Sequence, residues 1–381
     1  MTAAAPPVRP VTLDLLRRLL GVEDHESVRT LMRRAEQASS ALPQLVVSAA
    51  AAEGLPLGSG SRDLMRRARD RAARYAELYE RIAAELPVRL VKGPSLAGRY
   101  PAHLMRPVGD LDLVVSGEEQ LWRAAVLIAG QVPLDRADLT LSRHGERTDV
   151  TLGLHWASED ELLDRPHNIE LSTLPFPRTP GGPVPPHTTL PDDPWLADLL
   201  TLAEERFQRA FHAKDAVDVL MLFADPAPPT PAGLALAAAG HRLAPELLEL
   251  LAYTREGAGA DLLDAYTRAL REPAAAELAD RSRPTGRPGT EDRAEDRAED
   301  RAESAAATVE ARLAAQLPVY GMPLGRPAAR PGSTRTHRYD TDGVSLLRTP
   351  IGDYLLVCGE IVSQDAYDTA LRVLDRLGKD T

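Results

Sequence analysis

The sequence predicts an α+β protein in which a small mixed β-sheet is flanked by many helices. Three observations predict it. Residues 63–86 place apolar side chains at a helical period, residues 88–91 and 111–115 are short apolar runs, and residues 139–156 alternate as in a β-hairpin. Only 4% of the residues are aromatic, so the core is expected to be aliphatic.

The first elements are helices followed by one strand. Within residues 11–86, the stripe that includes Leu64, Tyr75 and Ile82 repeats every 3.6 residues, and Pro87 ends the helix. A strand is predicted at residues 88–91, with the loop Lys92-Gly93-Pro94-Ser95 after it.

The centre of the chain is predicted to complete the sheet. A second strand covers residues 111–115, and Ser116 with Glu119 then resembles a capping box at the start of a helix to Ala129. Residues 139–143 and 148–156 alternate around a four-residue turn, which predicts a hairpin.

The second half is predicted to be mostly helical. A long helix begins at Pro194 and runs to Phe223, and further helices fill residues 231–271. Three Glu-Asp-Arg-Ala repeats in residues 291–302 would stack like charges on a helix, so a solvated linker or marginal helix is expected there. The tail is predicted to form two strands and a helix over residues 344–377.

These elements suggest five segments. They are an N-terminal helical region (1–86), a core with the sheet (87–175), a helical region (176–275), a charged linker (276–305) and a C-terminal helix with a small βα addition (306–381).

Composition limits the class of protein. A net charge of −11 argues against a general polyanion-binding role, and a single cysteine, Cys358, excludes an intrachain disulfide. No signal peptide and no apolar run long enough for a membrane span are seen, so a cytoplasmic protein without membrane contact is expected.

The first candidate site is an acidic pair. Asp110 and Asp112 project to one face because they are two residues apart at the start of a strand. Two such carboxylates can hold Mg²⁺ through oxygen ligands, although two solvated acids at a strand end are the simpler interpretation.

The second candidate site is the loop between the strand at 88–91 and a short helix. Gly93 lets backbone N–H groups approach a phosphate, and Lys92 and Ser95 add a cation and a hydroxyl. Lys92 is one of only three lysines in the chain. Arg106 lies four residues before Asp110, so its guanidinium could contact the oxygens of a phosphate bound near the acidic pair.

Together, the runs from Val91 to Ala97 and from Arg106 to Val115, with Leu154-His155-Trp156, resemble the uncharacterised nucleotidyltransferase family of the polymerase-beta-like superfamily. The resemblance covers residues 11–225. It implies a sheet of nucleotidyltransferase type, an NTP such as ATP as donor, Mg²⁺, and transfer to an acceptor hydroxyl or phosphate. It makes Asp110 and Asp112 metal ligands and places Lys92, Gly93, Ser95 and Arg106 near the triphosphate.

Two features depart from that pattern. Pro94, which has no N–H donor, separates Gly93 from Ser95. Gly153 occupies the position where the resemblance implies a third carboxylate. Asp149 on the same face is four residues away, and His155 is a candidate substitute as base or ligand.

Three functional hypotheses follow. The first is a Mg²⁺-dependent nucleotidyltransferase acting on a small molecule, a protein or an RNA end. The second is a catalytically degenerate nucleotide-binding or regulatory protein. The third is a scaffold that docks a protein partner through the C-terminal module. Lys214 is a candidate nucleotide contact, although an ion pair with Asp218 on the same helix face explains it as well.

Overall fold

The computed structural model describes residues 11–178, 184–283, 308–330, 333, 335–359 and 361–379. The helices of this part of the chain are α1 (Leu13–Leu20), α2 (Val28–Ala38), α3 (Leu42–Ala52), α4 (Ser59–Glu85), α5 (Gly93–Ala97), α6 (Glu118–Ala129), α7 (Pro194–Glu204), α8 (Ala213–Phe223), α9 (Pro231–Gly240), α10 (Ala244–Ala258), α11 (Asp264–Arg281), α12 (Val309–Ala314) and α13 (Gln364–Lys379). The strands are β1 (Val88–Val91), β2 (Leu111–Val115), β3 (Arg136–His144), β4 (Arg147–Trp156), β5 (His167–Ser172), β6 (Val319–Pro323), β7 (His337–Thr341), β8 (Val344–Thr349) and β9 (Gly352–Val357). An α+β protein is therefore confirmed.

The described residues form two compact units. The first contains residues up to Glu77, Leu90–Leu111 and the residues from 184 to Arg283. The second contains Leu78–Arg89, residues 112–178 and the described residues from 308 onward.

The first unit is helical. Helices α1, α2 and α3 pack on one another, and α10 packs on α8 and α11. Their contact faces are aliphatic, as the composition predicts; Leu15, Leu31 and Leu250 are almost completely buried. Burial of these apolar faces stabilises helices that would be marginal alone.

The predicted long helix from Pro194 to Phe223 is wrong, because the chain forms two helices there, α7 and α8. The Asp215 carboxylate accepts the backbone N–H of His212 at 3.0 Å, and this capping box starts a new helix. The cap places Lys214, Asp215 and Asp218 in the first turns of α8.

The second unit contains most of the sheet, whose strand order is β1-β2-β5-β4-β3-β6-β9-β8-β7. The hairpin of β3 and β4 is confirmed, with Leu139 opposite Leu152. Strand β6 pairs antiparallel with β3, so the C-terminal strands continue the central sheet. The sheet is thus larger than predicted, and the expected small C-terminal βα addition is part of it.

Other local predictions were also incomplete. The sequence pattern does not predict strands β5, β6 and β7, which the structure contains. The capping box of Ser116 and Glu119 is wrong, because Gly117 is the N-cap of α6 and the Ser116 hydroxyl donates to Gln120 at 2.6 Å. The charged repeats at 291–302 lie outside the described residues.

Candidate functional site

The turn between β1 and α5 has a strained backbone at Lys92. Its φ is 55° and its ψ is −132°. Residues other than glycine rarely adopt these backbone angles. Such conformations cost about 1–3 kcal/mol and are concentrated at functional positions. The strain therefore marks the loop that the sequence predicts to bind phosphate.

Gly93 follows, and the fold leaves no room for a side chain there. A Cβ atom on Gly93 would lie 2.9 Å from the backbone carbonyl oxygen of Asp110. The loop therefore packs directly on the backbone that begins the acidic pair. The glycine is required by this close approach, in addition to any role in exposing N–H groups.

Arg106 lies beneath the loop and is almost completely buried. Its Nη1 donates to the carbonyl oxygen of Gly93 at 2.8 Å, and its Nε and Nη2 donate to the Asp218 carboxylate at 2.7 and 3.0 Å. Burial alone would lower the pKa of Arg106, but the Asp218 carboxylate more than offsets this and raises it. In this structure Arg106 positions the Gly93 loop, and its predicted contact with a triphosphate stays a prediction.

Asp218 is the acceptor at the centre of this network. Besides Arg106, it accepts from the Tyr100 hydroxyl at 2.7 Å and lies 3.2 Å from the Lys214 Nζ atom. Burial would raise the pKa of Asp218, but the two cations overcome it and hold the pKa well below its usual range. The predicted pair of Lys214 and Asp218 is thus observed.

The polar groups of the loop have acidic partners in the same unit. Lys92 Nζ lies 2.6 Å from Glu205, and both side chains are partly exposed. The Ser95 hydroxyl donates to the buried Asp198 at 2.9 Å. Burial raises the pKa of Asp198, although the hydrogen bonds from Ser95 and Arg99 oppose the shift.

Asp112 of the acidic pair lies on β2, and Asp110 immediately precedes the strand. Leu111, Leu113 and Val115 are buried, whereas Asp110 and Asp112 are partly exposed. The alternation puts both carboxylates on the open face of the strand. Among the described residues, no group of three or more His, Cys, Asp or Glu side chains forms a metal-binding cluster.

The second unit shows which strand lies beside β2. It is β5, which separates β2 from β4. Asp149 and His155 on β4 are therefore two strands from β2, roughly 10 Å away at the usual strand spacing. Asp149 is also buried, and contacts Arg147 at 2.7 Å and accepts from the Thr173 hydroxyl at 2.9 Å. Its contacts are those of a residue that stabilises the hairpin.

His155 fills the space beside Gly153. Its Nε2 atom lies 3.0 Å from the Asp138 carboxylate and 3.1 Å from where a Gly153 Cβ would be. Burial lowers the pKa of His155 below its ordinary value of 6.5, although Asp138 opposes the shift. A neutral imidazole held by a carboxylate is suited to accept a proton.

One residue of this face, Glu170 on β5, is not among those predicted from the sequence. It lies opposite Gly153, is exposed, and is on the strand next to β2. Alternation of buried Ile169 and Leu171 with Glu170 puts its carboxylate on the same open face as Asp112. The alternation of polar and apolar residues from His167 to Ser172 is the sequence pattern that could have predicted this strand.

Comparison of the chain with protein-family models, curated proteins and solved structures finds no match. The resemblance to nucleotidyltransferases thus remains an interpretation of the motifs. Within the described residues, no helix combines the length and apolarity needed to cross a membrane.

Proposed function

We propose that this protein is a Mg²⁺-dependent nucleotidyltransferase that binds an NTP at the Gly93 loop and the acidic pair. The observation that supports this most is the contact of the Gly93 turn with the backbone of Asp110, where a Cβ would be only 2.9 Å from the carbonyl oxygen. This contact joins a strained, glycine-dependent turn to the first of the two carboxylates.

Asp110 and Asp112 are suitable donors for Mg²⁺. The ion prefers oxygen ligands and is usually bound by one or two carboxylates together with substrate phosphates, so two acids on one strand face fit it. Bound there, Mg²⁺ would neutralise charge on the phosphates.

The chain's own residues supply the remaining functions. Lys92 is a long, partly exposed cation that binds a phosphate when it leaves Glu205. Arg106 and Asp218 hold the loop carbonyl of Gly93 in place. The acceptor oxygen bonds to the α-phosphorus, the bond from that phosphorus to pyrophosphate breaks, and the acceptor proton passes to a base.

A second candidate is a protein that binds nucleotide without transferring it. Gly153 favours it, since it replaces the acid that the resemblance implies. The internal contacts of Lys92, Ser95 and Arg106 favour it as well.

The first experiment is calorimetry with ATP, CTP, GTP and UTP, each with and without Mg²⁺. We expect Mg²⁺-dependent binding of at least one nucleotide, and at least tenfold weaker binding in Asp110→Asn and in Asp112→Asn. Asp225→Asn is the matched control, because it removes a partly exposed acid of the first unit. Absence of binding by all four nucleotides would refute the proposal.

The second experiment separates the two candidates. Pyrophosphate release is followed with the nucleotide that binds and a panel of small alcohols, peptides and short RNAs. A transferase predicts Mg²⁺-dependent pyrophosphate release that at least one acceptor of the panel increases at least tenfold. Binding without release from any acceptor in the panel would favour the second candidate.

A further inference from the structure

The last strand of the sheet order, β7, ends in a tight turn to β8. Thr341 pairs with Val344, and only Asp342 and Gly343 lie between them. Both turn residues have positive φ, 53° and 77°. These values identify a two-residue turn of the type that matches the twist of a β-hairpin. The turn fixes which backbone groups of β7 bond to β8.

The outward backbone groups of β7 belong to two charged residues. In a two-residue hairpin the flanking pair, here Thr341 and Val344, is hydrogen-bonded, and bonded pairs then alternate along the strands. Tyr339 therefore also bonds to β8. Arg338 and Asp340 direct their N–H and C=O groups away from β8, toward the edge of the sheet. Among the described residues, no strand pairs with that edge.

An edge with free donors and acceptors can pair with a second copy of itself. Around a two-fold axis, three antiparallel registers bring the outward residues together. Two of them place Arg338 opposite the partner's Arg338, or Asp340 opposite the partner's Asp340, and these put like charges together. The third centres on Tyr339 and places Arg338 opposite the partner's Asp340 twice. Opposite charges in facing positions stabilise a strand pair, and like charges destabilise it.

We propose that the chain forms a two-fold dimer by antiparallel pairing of two β7 strands in the register centred on Tyr339. Asp340 is well exposed, with 58% of its side chain accessible, and Arg338 is 24% exposed. Arg338 contacts Asp340 and Glu310 of its own chain, and the dimer adds the partner's Asp340 to these. The contact is short, so the dimer is expected to be weak and to form at micromolar concentrations.

Charge reversal tests the register on the full chain. Arg338→Asp and Asp340→Arg each replace the attractive pairs by repulsive ones, and each is expected to weaken dimerisation about tenfold or more in sedimentation equilibrium. The double variant R338D/D340R restores opposite charges and is expected to dimerise as the wild type does. A mixture of the two single variants is expected to form heterodimers.

The mixing experiment separates pairing from damage to the fold, because each single variant then serves as the other's complement. Arg372→Asp on α13 is a control with the same charge change at an exposed position, and it is expected to leave dimerisation unchanged. The proposal is overturned if the wild type stays monomeric at all concentrations. It is equally overturned by a dimer that both single reversals leave intact, or by single variants that do not recombine.

Discussion

Replacing Asp218 by Asn removes one negative charge from the centre of the network in the first unit. The side chain of Asp218 is fully buried and faces Arg106 at 2.7 Å and Lys214 at 3.2 Å, with the Tyr100 hydroxyl also at 2.7 Å. The substitution preserves shape but leaves two cations without their shared carboxylate. We expect a large loss of stability because the buried Arg106 cannot be rehydrated in place.

The magnitude follows from these contacts. Breaking a buried ion pair by removing one partner costs about 3–5 kcal/mol. The Asn oxygen can still accept one of the hydrogen bonds, so the lower end, about 3 kcal/mol, is expected. That is a large fraction of the roughly 5–15 kcal/mol that stabilises a folded protein.

Urea unfolding at pH 7, followed by circular dichroism, measures this change. Asp225→Asn is the control, because Asp225 is 36% exposed and lies 3.5 Å from Arg99. An exposed pair of this kind contributes about 0–1 kcal/mol. A loss of less than about 1 kcal/mol in Asp218→Asn would refute the argument, since the buried charge would then not stabilise the fold.

The same network predicts an acid dependence. The folded-state pKa of Asp218 is well below its unfolded value of about 3.9, so its stabilisation is complete above that unfolded value. The stabilisation is lost as the pH falls from there toward the folded pKa. Asp218→Asn should therefore differ from the wild type most at pH 7 and progressively less below pH 4 or so. A constant difference between pH 7 and pH 2 would contradict this.

Three further predictions concern the loop and the sheet face. Gly93→Ala should weaken nucleotide binding at least tenfold in calorimetry, because the new Cβ would lie 2.9 Å from the backbone oxygen of Asp110. Gly98→Ala is the control and should leave binding unchanged, because its Cβ would lie 3.5 Å from the nearest backbone oxygen. Lys92→Gly should be more stable than Lys92→Ala by about 1 kcal/mol in urea unfolding, since both lose the ammonium but only glycine relieves the positive φ; equal stability would contradict the strain. In NMR titration the pKa of His155 should lie below 6.5, and Asp138→Asn should lower it further, because the carboxylate favours the charged ring. Because the folded-state pKa of His155 is the lower one, its effect on stability is most favourable above the unfolded-state pKa of about 6.5. The protein loses stability as the pH falls below that value and the ring of His155 must be protonated. A pKa for His155 above 6.5 would show that burial is not the dominant effect.

Local features of the fold could be read from the sequence. Helix α4 and the hairpin of β3 and β4 follow from the period of their apolar residues, which depends only on neighbours along the chain. The shared face of Asp110 and Asp112 follows in the same way. Helix boundaries were harder to predict, as at His212, where the Asp215 side chain caps the start of α8.

The tertiary structure decided which residues are neighbours. Arg106 and Asp218 are separated by 112 residues, and no local pattern specifies their contact. Strand order likewise depends on pairing between distant segments. Only the structure therefore shows that β5, which carries Glu170, lies beside β2. The sequence by itself determined the chemistry of each site residue and the face on which it lies. Distant backbone pairing and buried ion pairs determined what each residue faces.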